Sequence, residues 1–345
     1  MAQLSNCAIS VESHRSDPQR FWSLIEPGLV GERFLTTKSW LQVASEHREL
    51  MGEWDHSFHV LGNGQIRLAT VTCYKGVAQL FGPSGGPCEI LLNPQLSMSD
   101  RLKERIYERC LDELIVLSRK LRLRMIPVYD DELGVIFRKI YSGYKFFTKS
   151  WAYVSKDLSL DDGGMGIRES HKSHINWGRK NLSTLYFDGE ELKQVDVAGL
   201  KSQLNRFLEK TMEKNGNQLP DWLFEFHLDS VSRCGGELSI FANQEGYVVG
   251  MCVVVDFDNV SYYAMAGSQR VGNKNVGPYM LVDAMARAKA RNQNHFLIDR
   301  PYEMGTIGVL PHALNLHFYK MGFGSTIDRK LVYEVYLLGE PESVM

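Results

Sequence analysis

The sequence predicts an α/β (α+β) fold built as two modules in tandem, each a sheet flanked by helices. Three observations lead there. The chain has 345 residues, long for one core and comfortable for two. One order of elements can be read twice along it: helices, a hairpin-rich run of strands, then helix–strand–helix–strand. Between the two readings, near residues 145–165, lies "LDDGGMG", the most linker-like stretch of the chain. The division is therefore placed at 1–150 and 151–345.

In the first half, "FWSLIEPGLVGERFLTTKSWLQVASEHREL" reads as short helices around Phe21, Trp22, Trp40 and Leu41. "FHVLGNGQIRLATVTCYKG" and "VAQLFGPSGGP" read as strands broken by turns, Asn63-Gly64 being the clearest hairpin dipeptide. "SMSDRLKERIYERCLDELIVLSRKLR" is the clearest helix. Leu102, Ile106, Cys110, Leu114, Leu117 and Leu121 recur at steps of three and four, and Ser99 stands at the N-cap. "LRMIPVYDD" is a buried strand, "ELGVIFRKIYSGYKFF" a second helix, and "KSWAYVSKDLS" the strand that closes the half.

The second half repeats the order. "GLKSQLNRFLEKTMEKNG" carries Leu200, Leu204, Phe207 and Leu208 on one helical face. "PDWLFEFHLDSVSRCGG" opens on Pro220 and stops at Gly235-Gly236. The strands "ELSIFANQ", "YVVGMCVVVDFD" and "VSYYAMAG" follow, then the helix "PYMLVDAMARAKARNQ". The strand "HFLIDR", the helix "PHALNLHFYKMG" and the strand "KLVYEVYLL" complete it. "IYSGY" (140–144) and "YKMGF" (319–323) hold equivalent places, and Gly322 is expected to end the last helix as a left-handed C-cap residue.

Composition narrows the class. With 44% hydrophobic and 23% charged residues, the chain reads as a globular protein without a membrane-spanning run. A net charge of −2 makes no global electrostatic case for nucleic acid. Six scattered cysteines without a CxxC, and an N-terminus without a basic-then-apolar leader, point to reduced thiols and a cytoplasmic location.

The second-half order ending in "FYKMGFG" resembles the GNAT superfamily of N-acyltransferases. Two such modules in tandem resemble the FemABX-like (Fem-type) acyl and aminoacyl transferases. Local matches are "RFLTTKSWLQ" (33–42), "SWAYVSKDLS" followed by "IRESHKSHINWGRKN", which resembles the strand and basic helix that open the family's second module, "YYAMAGSQRVGNKNVGPYMLVDAMARAKARN" and "FYKMGFG" itself. The resemblance implies mostly antiparallel mixed sheets that splay near their centre, and an active cleft in the second module. It also implies transfer of an acyl or aminoacyl group from an activated carrier to an amine by direct attack. Members that use acetyl-CoA carry Arg/Gln-x-x-Gly-x-Gly after the fourth strand, where backbone N–H groups hold the pyrophosphate. Here the place reads Gly272-Asn273-Lys274-Asn275-Val276-Gly277-Pro278, so only the last glycine matches. Lys274, Asn275 and Gly277 are the candidates to meet a carrier there. The degenerate loop leans toward aminoacyl-tRNA, which Fem-type members use, with acyl-CoA as the other co-substrate; no tightly bound cofactor is expected.

The terminal Phe-Lys-x-x-Phe-Gly pattern of Fem-type members maps Tyr319 onto the Phe and Lys320 onto the Lys. Tyr319 can donate a proton to a leaving group and Lys320 can hold an oxyanion, against the plainer reading of a packed ring and a solvated ammonium. Asp299, at the end of "HFLID", stands where ligands gather in α/β sheets and can accept the amine's proton. Arg168, Lys172 and Arg179 recur at helical steps beside Ile175, suited to phosphates of an acceptor or a tRNA end, or to solvent. His171 and His174 have helical metal-pair spacing but no third ligand, so no metal is expected. Glu225 and His227 should point apart, Cys252 should be core, and Asp256 and Asp258 read as strand-end turn residues. The acceptor class is a small-molecule or cell-envelope precursor amine. The alternative function is a non-catalytic double module that binds an acyl carrier, an RNA end or a protein partner.

Overall fold

The computed structural model describes residues 7–25, 55–75, 80–81, 88–130, 145–159, 166–215, 222–257, 259–299 and 318–336. Segments 33–42, "GPSGGP" (82–87), residues 132–144 of the stretch read as a helix, "IYSGY" included, residues 160–165 of "LDDGGMG", Asp258 and the start of "PHALNLHFYKMG" lie outside them; residues 145–147, read as the end of that helix, are strand. The chain divides into two units: Met1–Trp151 with Arg329–Met345, and Ala152–Asp328.

The first unit holds β1 (Ile9–Ser13), helix α1 (Pro18–Ser23), β2 (Phe58–Gly62), β3 (Ile66–Thr72), the short pair β4 (Tyr74–Lys75) and β5 (Leu80–Phe81), and β6 (Glu89–Leu92). Helix α2 (Asp100–Lys120) and β7 (Met125–Asp130) follow. Strands β1-β2-β3-β6 form an antiparallel sheet. Asn63 and Gly64 turn the β2–β3 hairpin with φ of 51° and 70°, the left-handed pair that a tight hairpin demands. Ser99 caps α2 by accepting the Leu102 N–H. The leucine stripe read from the sequence packs, through Leu102, Ile106, Cys110 and Leu114, on Val60, Leu68 and Val71 of the sheet.

The second unit takes the end of β8 (Lys145–Asp157), then α3 (Glu169–Asn181), β9 (Leu182–Phe187), α4 (Val197–Asn215) and α5 (Trp222–Cys234). Next come β10 (Gly236–Asn243), β11 (Val248–Phe257), β12 (Val260–Ser268), the small hairpin β13–β14 (Arg270–Val271, Lys274–Asn275), α6 (Gly277–Ala290), β15 (His295–Asp299) and the start of β16 (Thr326–Tyr336). Strands β9-β10-β11-β12 are antiparallel neighbours, and β12 meets β15 in parallel. The order matches the first unit, where Cys88 beside β6 bridges Val128 of β7 in parallel.

The closing strands depart from the reading by order of elements. "KSWAYVSKDLS" was read from that order as closing the first half and from the resemblance as opening the second module; its residues Val154–Asp157 pair with β15 in the second unit, in line with the resemblance. "KLVYEVYLL" was expected to close the second, yet Leu331–Tyr336 pair with β7 in the first. A strand's apolar pattern says which face is buried and nothing about which sheet edge receives it. Further along, Glu225 is exposed and ion-paired with Lys201 at 2.9 Å while His227 is buried, so the two do point apart. Cys252 is buried in β11, as expected.

Two buried histidines give each unit an acid-sensitive point. In the first, the His59 ring stacks on Phe21 at 3.9 Å, donates from Nε2 to the Phe21 carbonyl at 2.9 Å and accepts from Thr70 at Nδ1. In the second, His227 lies beside Phe226 and Tyr262. Burial lowers both from the ordinary 6.5 to about 4. A depressed base binds fewer protons folded than unfolded, so stability is complete above pH 6.5 and falls as pH drops toward 4. At ~1.4 kcal/mol per unit, each histidine should remove up to roughly 3 kcal/mol over that window. Urea unfolding between pH 7.5 and 4 checks this; His227→Leu should flatten the second unit's share.

Candidate active site

The site grows from a fault in the second sheet. Among the described residues, β12 and β15 pair only over Val260–Tyr262 and His295–Leu297. Beyond that β12 runs on to Ser268 and β15 to Asp299, past the last parallel pair. On its other side β12 carries a bulge: Val253 faces Met265 and Val254 faces Tyr263, leaving Ala264 as the extra residue. The parallel pairing of the two central strands thus stops short of their ends, at the place where a splay was expected. Asp299 ends β15, its backbone opposite Val154; its side chain lies outside the described residues.

The chain leaving Ser268 makes the β13–β14 hairpin, turning on Gly272 at φ 58°, and enters α6 at Gly277. A hairpin and the helix start thus occupy the stretch 272–278, which matches a glycine-rich phosphate loop only at its last glycine. Two backbone donors at its end are already engaged. The Gly277 N–H donates to Asn275 Oδ1 at 3.1 Å, and the Asn275 N–H donates to His174 Nδ1 at 3.2 Å. The Lys274 ammonium reaches the Ser173 hydroxyl at 3.4 Å.

Tyr319 arrives at the same place from the other end of the unit. Residues 318–321 are helical, and the Tyr319 hydroxyl stands over the first turn of α6. A Cβ on Gly277 would lie 2.9 Å from that oxygen, 3.4 Å from Asn275 Oδ1 and 3.7 Å from Ser268 Oγ. Glycine leaves the phenol room to lie there. Burial pushes the Tyr319 phenol well above its ordinary value, so it stays protonated at neutral pH. Lys320 is buried on the same turn, its carbonyl accepting from Ser325 Oγ at 3.4 Å. Consecutive helical residues project about 100° apart, so Tyr319 and Lys320 leave the turn in different directions.

The helix stops at Met321, just before Gly322, as expected, but Gly322 is not its left-handed cap residue. The left-handed residue after the helix is Gly324, at φ 68°, and Gly322 closes a tight turn by donating to the Tyr319 carbonyl at 3.0 Å. Its lack of a side chain serves packing: a Cβ there would collide with Nε2 and Cδ2 of His171. The His171 ring lies between Phe323, stacked at 4.7 Å, and Tyr319 at 5.1 Å. Its Nε2 donates to the Tyr319 carbonyl at 3.1 Å. The Arg168 N–H donates to the Gly322 carbonyl at 2.7 Å, and Ile167 bridges Phe323. Helix α3 therefore seats the segment that carries Tyr319. The sequence offered this signal as a histidine pair of metal spacing; each ring instead holds a backbone group.

The basic stripe separates. Arg168 precedes the first turn of α3 beside His171, whereas Arg179 lies near Tyr279 and Asp283 in the last turn. Lys172 is exposed and paired with Glu169 at 3.1 Å. Arg168 and Lys172 both lie at the Tyr319 end of the helix, Lys172 on its exposed face, and Arg179 at the other end. Gly178 sets the helix spacing, since a Cβ there would lie 2.5 Å from Cβ of Tyr279 on α6.

Below α6 sits a buried ionic lattice that the sequence did not announce. Arg291 donates to Asp256 at 2.6 and 3.2 Å and to Glu237 at 2.7 Å, while Arg287 donates to the same Glu237 oxygen at 2.7 Å. Ser261 donates to Asp256 at 2.5 Å. Asp256 is thus a buried anchor within β11 and not the turn residue expected. Burial opposes the charge on Arg291, but Asp256 and Glu237 outweigh it and hold the guanidinium above its ordinary value. The lattice pins the C-terminal half of α6 to β10 and β11, and so fixes where its first turn stands.

No family model and no curated protein matches the sequence. Solved structures do match its fold. FemX aligns with a TM-score of 0.61 at 12% identity, over 96% of this chain and 98% of that one. The C-terminal DUF2156 domain of a protein described as a lysylphosphatidylglycerol synthetase from Agrobacterium fabrum gives 0.56 at 9% identity, over 90% and 89%. A conserved protein of unknown function from Bacteroides thetaiotaomicron gives 0.56 at 11%, over 96% and 100%. Antiparallel and mixed sheets flanked by helices, aligned almost end to end with FemX, give this chain the GNAT/Fem-like fold.

Proposed function

We propose that the protein is an N-acyltransferase that moves an acyl or aminoacyl group from an activated carrier to an amine. The observation that carries the reading is the Tyr319 hydroxyl, held protonated over the first turn of α6. The uncharged amine attacks the carbonyl carbon, a tetrahedral oxyanion forms, and the bond to the carrier breaks. The carrier atom leaves with a proton and the amine gives one up. Tyr319 faces the leaving atom as hydrogen-bond donor, Lys320 supplies positive charge, and Asp299 takes the amine's proton.

One feature favours an oxygen ester such as aminoacyl-tRNA over acyl-CoA: the Gly277 and Asn275 N–H groups, which a pyrophosphate would use, already donate within the protein. A neighbour whose name carries an aminoacyl group, the lysylphosphatidylglycerol synthetase domain, fits the same donor class. The engaged loop is also what favours the alternative, a non-catalytic module that binds a carrier or an RNA end. Labelled aminoacyl-tRNA and labelled acyl-CoA, each offered with a panel of primary amines, separate these. Amide product is expected from the tRNA ester at more than ten times the rate from CoA. Transfer from CoA alone overturns the donor assignment, and no transfer from either leaves the binding module.

A further inference from the structure

The geometry points to His174 as a positioning residue that holds the carrier-side hairpin in its working form only while its ring is neutral. The inference rests on the functional reading above and adds a control on that site. Asn275 joins the hairpin to α6: its side chain caps Gly277, and its own N–H is held by His174 Nδ1 at 3.2 Å. A backbone N–H can only donate, so Nδ1 must be the unprotonated nitrogen.

His171, one helical turn away, makes the opposite bond. Its Nε2 donates to a carbonyl, which can only accept, and that bond survives protonation of the ring. Protonating His174 turns its one acceptor into a second donor and breaks the Asn275 bond. The two histidines therefore respond differently to acid: the Tyr319 segment stays seated while the hairpin is released.

The surroundings set the direction of the response. From the hairpin, Lys274 and Arg270 face the His174 ring, and on α3 itself His171 is its titratable neighbour. Helix α6 packs further along α3, where Tyr279 meets Gly178. Burial, then Lys274 and Arg270, lower His174 from its ordinary 6.5. The neutral, latched form is therefore complete above pH 6.5 and is lost as pH falls below it, through the lowered value. The added charge would also repel Lys274 and Arg270, which reinforces release.

Asparagine separates the bond from the titration, because its Oδ1 accepts from about the place of histidine Nδ1 and does not protonate. Two readouts are taken on the full chain for wild type, His174→Ala and His174→Asn. One is exchange of the Asn275 amide by NMR at fixed pH; the other is KM and kcat with the aminoacyl-tRNA donor from pH 5 to 8. His174→Ala is expected to speed Asn275 exchange at least tenfold and raise the donor KM about tenfold, with kcat within threefold. His174→Asn is expected to restore both and to abolish the rise in KM below pH 6.5 seen in wild type. Unchanged exchange in His174→Ala, or an acid limb that persists in His174→Asn, overturns the inference. If no donor turns over, the functional reading fails, and exchange at pH 7.5 and 5.5 in wild type and His174→Asn still decides the latch.

Discussion

Tyr319→Phe should lower kcat for acyl transfer about 10²-fold while leaving the melting temperature within a degree or two of wild type. The ring remains against His171 and Phe323, with centroids 5.1 and 5.3 Å away, so packing is kept and only the hydroxyl is lost. Removing one preorganised donor from a developing negative charge costs about 10²–10³ in rate when water is excluded. Because burial raises this phenol, it stays protonated across the working range, and its titration should produce no alkaline fall in rate below about pH 10. Lys320→Met is the companion measurement, and a larger loss is expected from it, since Fem-type members match this chain at the lysine and carry Phe in place of the tyrosine. Full activity in both variants would return the pair to a helix end with no chemistry. Full activity in Tyr319→Phe alone would assign the charge stabilisation to Lys320.

The largest loss of stability is expected at Arg291. Its guanidinium serves Asp256 and Glu237, both nearly inaccessible at 8% and 2% side-chain exposure. Arg291→Met keeps much of the apolar stem and strands Asp256 with only the Ser261 hydroxyl from this lattice, whereas Glu237 keeps Arg287. Breaking a buried pair on one side costs about 3–5 kcal/mol, which for a domain of this size lowers the melting temperature by roughly 10 °C. Adding Asp256→Asn to Arg291→Met should recover part of that loss, because the uncompensated charge is gone. If the double variant is no more stable than the single one, the lattice acts through packing and not through charge.

Much of the fold could be read directly. The α2 stripe and its Ser99 cap, the Asn63-Gly64 hairpin and the order of elements in the second half follow from local rules: period 3.6, an oxygen acceptor at the first turn, positive φ where glycine and asparagine tolerate it. Those rules act over a few residues, so a sequence displays them. The candidate site residues at "FYKMGFG" and in the strand-to-helix loop before α6 came from resemblance and not from such local rules.

Tertiary structure alone decided the rest. Which sheet edge takes Val154–Asp157 and which takes Leu331–Tyr336 depends on pairing across the chain, and both strands carry the same kind of apolar pattern. Gly322 looked like a left-handed cap because sequence shows a glycine and not what presses on it; the His171 ring, 151 positions earlier, is what requires it to be small. Asp256 looked like a turn residue because its partners, Arg291 and Ser261, reach it from a helix and a neighbouring strand. His171 and His174 looked like a pair because they lie three residues apart. Only the fold brings a carbonyl to one ring and an N–H to the other, and a hydrogen bond's direction depends on that partner and not on spacing.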